Sequence, residues 1–275
     1  MWWLTWRQHR SQILVTAGLL TALGVFLLIN GLTADGLATG RPNLVRGDHF
    51  AAVYNVIGWM ALAPALIGLF WGTPVLGREF ERGTHRLAWT QSVSLRRWLA
   101  VKLGLLGALV ALAGLALGAM VGAWLSVYRG LSMADRFGNP GLFVLTGVVP
   151  AAWWLFAFMT GVAAGAVCRR IMPAIAVTVA VLLTIILAMF FYNVRGHYAP
   201  AERAVVEVAP STGEMFPSDW FLLDIESTSS DAEQVIRYHP ADRYWRFQWT
   251  ETGLLLIATI VLGGVAVTRA TRSRN

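Results

Sequence analysis

The sequence predicts an all-α polytopic membrane protein with about six transmembrane helices, an N-terminal interfacial helix and a large extracellular loop before the last helix. Three observations carry this. Apolar residues make up 56% of the chain and charged residues 13%, against roughly 45–50% and about 25% in soluble domains. The apolar residues gather in six stretches close to the ~20 residues that a bilayer-crossing helix needs. Almost all charges fall between those stretches, so residues 1–275 read as one transmembrane domain.

Taken in order, residues 1–12 interleave Trp2, Trp3 and Trp6 with Arg7, His9 and Arg10. An aromatic face beside a basic one suits a helix lying in the inner membrane interface; the alternative is a charged start to the first span. Arg7 and Arg10 ahead of an apolar run resemble a signal peptide, but the run from Ile13 to Leu32 is too long for an h-region, so it reads as an uncleaved span. The remaining spans fall at Val53–Val75, Leu99–Val127, Leu142–Val167, Ile171–Tyr192 and Thr252–Val267, the last short for a bilayer, with Trp249 as an alternative start. Pro64, Pro74 and Pro150 remove backbone donors within spans, which predicts a kink or break at each, with neighbouring helices satisfying the freed carbonyls. Most of the thirteen tryptophans, Trp71, Trp98, Trp124, Trp245 and Trp249 among them, read as interfacial anchors. Trp59, Trp153 and Trp154 lie deeper and read as packing residues.

Orientation follows from the basic residues, which cytoplasmic segments retain in excess. With the N-terminus inside, the inner segments hold Arg7 and Arg10, then Arg78, Arg82, Arg86, Arg96, Arg97 and Lys102, then Arg169 and Arg170, then Arg269, Arg272 and Arg274. Both termini are therefore expected in the cytoplasm and the chain in the cell membrane. The segment 193–251 is then external and is acidic. The net charge of +7 belongs to a face beside anionic lipid and not to nucleic-acid binding.

Several chemistries lack their residues. No G-x-x-x-x-G-K-S/T run is present to cradle phosphate, and neither H-E-x-x-H nor G-x-S-x-G occurs. The five histidines show no metal-ligand spacing, and Cys168 stands alone, so no metal site is expected. The expected hydrocarbon interiors hold essentially no ionisable groups, and Lys102 sits near enough to an end to snorkel. That weakens coupling to protons or sodium, which calls for ionisable groups at depth. Gly114, Gly118 and Gly122 recur every four residues in the third span, and Gly161 and Gly165 in the fourth. The spacing allows an intrachain contact, a dimer seam, or simply the glycine enrichment of membrane helices.

The connection between the second and third spans reads Arg78-Glu79-Phe80-Glu81-Arg82-Gly83-Thr84-His85-Arg86-Leu87-Ala88-Trp89-Thr90-Gln91-Ser92-Val93-Ser94. Gly83 suits a helix C-cap and Ser94 an N-cap, giving a helix–break–helix element at the membrane surface. This run resembles the permease subunits of type-2 ATP-binding-cassette (ABC) exporters, in particular their actinobacterial branch. Arg97-Trp98-Leu99 continues the likeness, as do Thr5-Trp6-Arg7-Gln8-His9-Arg10 and the external Tyr238, Pro240, Arg243, Trp245, Gln248 and Glu251.

The resemblance implies a six-span half of a dimer, completed by a second permease copy or a paralogue. It implies an elbow helix over residues 1–12 and a coupling loop over 78–92 resting on a separate ABC ATPase subunit, where ATP and magnesium bind; no cofactor is expected on this chain. It also implies short external or re-entrant helices within 193–251, with Pro217–Leu223 as an amphipathic candidate. By the same analogy Glu79 and Glu81 contact the ATPase or brace the second span, Phe80 belongs to the same motif, Gly83 and Thr84 set the turn, and Arg86 bridges to a carboxylate. The uncharged, Phe-, Trp-, Gly- and Val-rich spans favour an amphiphilic or apolar cargo such as a drug, antibiotic, peptide or lipid-like metabolite. The alternatives are a non-transporting membrane sensor or regulatory subunit, or a membrane-embedded enzyme.

Overall fold

The computed structural model describes residues 2–36, 42–81, 95–129, 131, 134–207, 217–227 and 233–272. Within them six helical segments are long and apolar enough to cross a membrane. The first is α1 (Trp2–Gly36). The second is built from α2 (Pro42–Gly58), a 3-10 turn (Trp59–Leu62), α3 (Ala63–Ile67), a π turn (Gly68–Gly72) and α4 (Thr73–Glu81). Next come α5 (Leu95–Val127), a short α6 (Pro140–Phe143), α7 (Val149–Cys168) and α8 (Ile171–Phe191). Three strands, β1 (Glu202–Glu207), β2 (Phe221–Ser227) and β3 (Glu233–His239), precede α9 (Tyr244–Arg272). Alternating spans place Trp2 and Arg272 at one face, here the terminal face, and the strands at the other, the sheet face.

The prolines act as their chemistry requires. The second span passes through its 3-10 turn just before Pro64 and its π turn just before Pro74. The Met60 carbonyl, four residues before Pro64, takes a tighter bond from the Ala63 N–H instead. The Phe70 carbonyl, four before Pro74, accepts 2.7 Å from Gln12 Nε2 on α1, so a neighbouring helix satisfies it. Pro150 lies in the first turn of α7, where a missing N–H costs nothing. The fourth span therefore begins at Val149, seven residues later than expected from hydropathy, and residues 142–148 end α6 and turn through Gly147 at φ +67°.

The core sits on α7, of which 78% is buried, against 6% of α1. Small residues make this central position possible. A Cβ on Gly114 of α5 would lie 2.6 Å from the Ala151 Cα, and one on Gly118 would strike the Gly147 carbonyl. On the opposite side Gly161 and Gly165 of α7 meet the backbone of Gly68, Gly72 and Thr73. The glycine faces thus bring α5, α7 and the second span together within one chain. Gly122 takes no part, since a Cβ there would meet open space.

Four expectations need correction. The helix over residues 1–12 is not a separate element, because α1 runs unbroken from Trp2, with no Gly or Pro before Gly18 to stop it. The side-chain placement of Trp2, Trp3 and Trp6 lies outside the described residues; Arg7 and Arg10 are exposed. Trp71 is no interfacial anchor: it is buried and donates to Thr16 Oγ1 at 3.2 Å. Trp124 is also buried, stacked on Phe50 and donating 2.8 Å to Asn30 Oδ1.

The fourth correction concerns the segment 193–251, whose helices before α9, among the described residues, are the 3-10 turns Val194–His197 and Ala241–Arg243. Between them β1 and β2 flank β3 in an antiparallel sheet, with a bulge between Leu222 and Asp224. The 217–223 candidate helix instead leads into β2. Val205, Val206, Ile225, Val235 and Ile236 place β-branched residues throughout the strands, which favours the pleated conformation. Among the described strand residues Phe221, Ile236 and His239 are buried, Phe221 beside His239 and Ile236 on the opposite face of β3.

Candidate functional site

At the terminal face, the four-residue turn Arg78–Glu81 ends α4, and the described residues continue from Leu95 in α5. Gly83, Thr84 and Arg86 lie outside the described residues. Glu79 and Glu81, two residues apart, point to different environments. Glu81 is exposed. Glu79 turns inward, where its Oε1 accepts from Lys102 Nζ on α5 at 3.1 Å; the two side chains are 19% and 5% exposed. Lys102 also donates to the Val75 carbonyl at 3.4 Å and lies 4.9 Å above the Trp98 ring. It does not snorkel outward, because three partners wait inside. Phe80 is half-buried beneath the Arg169 guanidinium at the α7–α8 corner, 5.8 Å away. The loop's two helical anchors are therefore tied to each other and to the neighbouring hairpin.

At the sheet face, the external motif is largely a set of ties. Tyr238 stacks on Trp220 with 3.7 Å between ring centroids. Pro240 holds extended backbone before the turn into α9. Arg243 donates 2.6 Å to Glu202 of β1 and 2.6 Å to the Pro200 carbonyl, and its Nη1 lies 3.2 Å from His239 Nδ1. His239 Nε2 faces the Gly196 carbonyl at 3.1 Å. Burial holds this imidazole below its ordinary pKa, and with Arg243 donating to Nδ1 the neutral tautomer carries its proton on Nε2. Trp245 is exposed and makes only an edge contact with Tyr244.

Gln248 caps a helix that has no cap of its own. Val148 precedes α7 without a capping side chain, and the Val148 and Val149 N–H groups donate to Gln248 Oε1 at 3.0 and 3.1 Å. The same amide donates to the Phe143 carbonyl at 3.1 Å, fastening α6, α7 and α9 together.

Glu251 lies two turns into α9 and is 1% exposed. Arg195, from the turn after α8, grips it through two bonds: Nε to Oε2 at 2.7 Å and Nη2 to Oε1 at 3.0 Å. Trp153 of α7 adds an indole N–H at 2.8 Å. Burial opposes the charged guanidinium, but the Glu251 carboxylate more than offsets this and raises the Arg195 pKa. Burial and the same carboxylate push the neighbouring Tyr198 phenol upward as well. Glu251 was expected as part of an external motif, whereas Arg195 and Lys102 carried no functional expectation. The available signal was an acid placed where a helix would enter the membrane, a position that demands a partner.

Among the described residues, no group of His, Cys, Asp and Glu could hold a metal ion. What the terminal face offers is a pair of braced helix ends, α4 and α5, with Arg78 and Glu81 exposed at the end of α4. The ABC-2 membrane transporter related family matches residues 15–193, more than half of the chain. The chain belongs to this family. The match covers the first five spans and stops at the turn that carries Arg195, before the sheet and α9. This permease component is therefore a multi-pass membrane protein whose sheet and last span lie beyond the matched region. No curated protein and no solved structure matches it.

Proposed function

We propose that this permease is the membrane-spanning half of an ATP-driven exporter, with ATP and magnesium bound on a separate ABC ATPase subunit. The Glu79–Lys102 tie carries this reading. It joins α4 to α5 across the 82–94 connection, so a push on the connection moves both helices together, and α4 bears directly on the α7–α8 corner through Phe80. Glu81 remains exposed at the helix end for a basic partner surface. The excess of Arg and Lys at the terminal face supports a cytoplasmic side for that face and both termini, with the chain in the cell membrane. A second copy or a paralogue completes the path, and the cargo is amphiphilic or apolar, moved outward.

The test is a mild-detergent pull-down of the full chain co-expressed with its neighbouring genes. An ATPase subunit should copurify, and Glu81→Lys should release it while the permease still inserts and stays monodisperse. Failure to recover any ATPase would replace the exporter reading with that of a membrane sensor or regulatory subunit. Recovery unaffected by Glu81→Lys would move the dock away from the end of α4.

A further inference from the structure

Between the second span, α5, α7 and α8, toward the sheet face, lies a cavity of about 300 Å³. Its floor is buried and apolar, formed in part by Leu117, Trp153 and Trp154. At the rim stand the exposed Ala61 on the second span and Ile186 on α8, so the opening faces the hydrocarbon between two bilayer-crossing segments. Arg195 lines it as well, four residues past the α8 end at the level where that span leaves the apolar layer. Binding cavities of small molecules range from about 300 to 1,000 Å³ and combine apolar walls with a few polar groups; this one has that character and sits at the small end.

Arg195 decides the chemistry of the occupant's head. A guanidinium has five N–H donors, and Glu251 takes two of them. Among the described residues no other group accepts from Arg195. Its charge is already met by Glu251, so the remaining donors ask for an acceptor oxygen and not for a full anion. We propose that this cavity binds a single-chain amphiphile from the bilayer, its apolar chain on Leu117 and Trp154 and a head oxygen on Arg195. The volume suits one chain and excludes a two-chain lipid held whole. The site is complete within one protomer and stands independently of the ATPase reading.

The experiment uses the full chain in native membranes and a lysophosphatidylcholine probe bearing a diazirine on its acyl chain. Light-induced labelling should map to the cavity floor around Leu117 and Trp154. Ala61→Trp, an exposed position at the rim, should cut that labelling by about tenfold, and so should Leu117→Trp, which fills the floor. The rim variant leaves the core packing untouched, so its result holds even if the floor variant fails to fold. Labelling of the floor that Ala61→Trp does not reduce, or labelling confined to the outer lipid-facing residues, would overturn the proposal. Adding ATP to membranes that also contain the products of the neighbouring genes separates two sources of the same chemistry. Loss of floor labelling on hydrolysis marks a passenger, and retention marks a resident lipid; both keep the site.

Discussion

Two ion pairs, one at each face, are built differently. Glu79–Lys102 is a single 3.1 Å contact between neighbouring helices, with the carboxylate 19% exposed. Glu251–Arg195 is bidentate, its carboxylate is 1% exposed, and Trp153 adds a third donor from α7. Desolvated charges need many hydrogen bonds to be tolerated, and the sheet-face carboxylate accepts two from Arg195 and one from Trp153. That pair is a clasp joining the α8–β1 turn, α7 and α9. The terminal-face pair joins two helices with its carboxylate partly exposed, which suits the part that the proposed coupling would move.

The largest expected effect breaks the clasp. Glu251→Ala leaves the Arg195 charge without its counter-ion, and the loss of a buried partner costs about 3–5 kcal/mol; a thermal melt of the purified full chain should show a large fall in Tm. Lys102→Met should cost less, about 1–3 kcal/mol for a lost hydrogen bond to a charged group, because Glu79 retains some access to water. Its melt should shift modestly while ATP-driven transport, once the cargo is known, falls more than stability does. Equal melting losses for the two variants would erase the distinction between clasp and brace.

Smaller effects sharpen the sheet-face half of the comparison. The His239 pKa is lowered by burial, so the unfolded state takes up a proton first. The stability of the docked sheet is then full above the ordinary histidine value of about 6.5 and declines as pH falls below it toward the lower folded value. Protection factors in β3, taken relative to intrinsic exchange at each pH, should fall on acidification, and His239→Gln should flatten that dependence. Arg243→Ala should be milder still in its effect on the Glu202 contact, since that carboxylate is 46% exposed and such surface pairs contribute about 1 kcal/mol or less.

The six spans were legible because long apolar runs leave little freedom of interpretation, whereas the glycine spacing left three readings open, and the packing of Gly114, Gly118, Gly161 and Gly165 supports the intrachain contact. Boundaries went astray where a local rule competed with hydropathy. Leu142 and Phe143 are apolar, yet Gly147 and Pro150 end one helix and start another. Tyr244 to Trp249 looked external, yet they form the first turns of α9. The sheet was missed because residues 193–251 were read for amphipathic helices, while strands as short as six or seven residues signal themselves only through β-branched alternation. Within the candidate site, Glu79 and Glu81 looked alike in sequence. Their separation into a buried brace and an exposed end depends on Lys102, a residue 23 positions away from Glu79, which no local pattern connects to it.

The most direct test is hydrogen exchange on the permease copurified with its ATPase, comparing the nucleotide-free state with one trapped with ATP. Protection should change in residues 73–81 and 95–102, the two sides of the braced hairpin, while β1, β2 and β3 keep the same exchange in both states. Changes confined to the strands, with the hairpin unaltered, would contradict entry of the driving force at the terminal face.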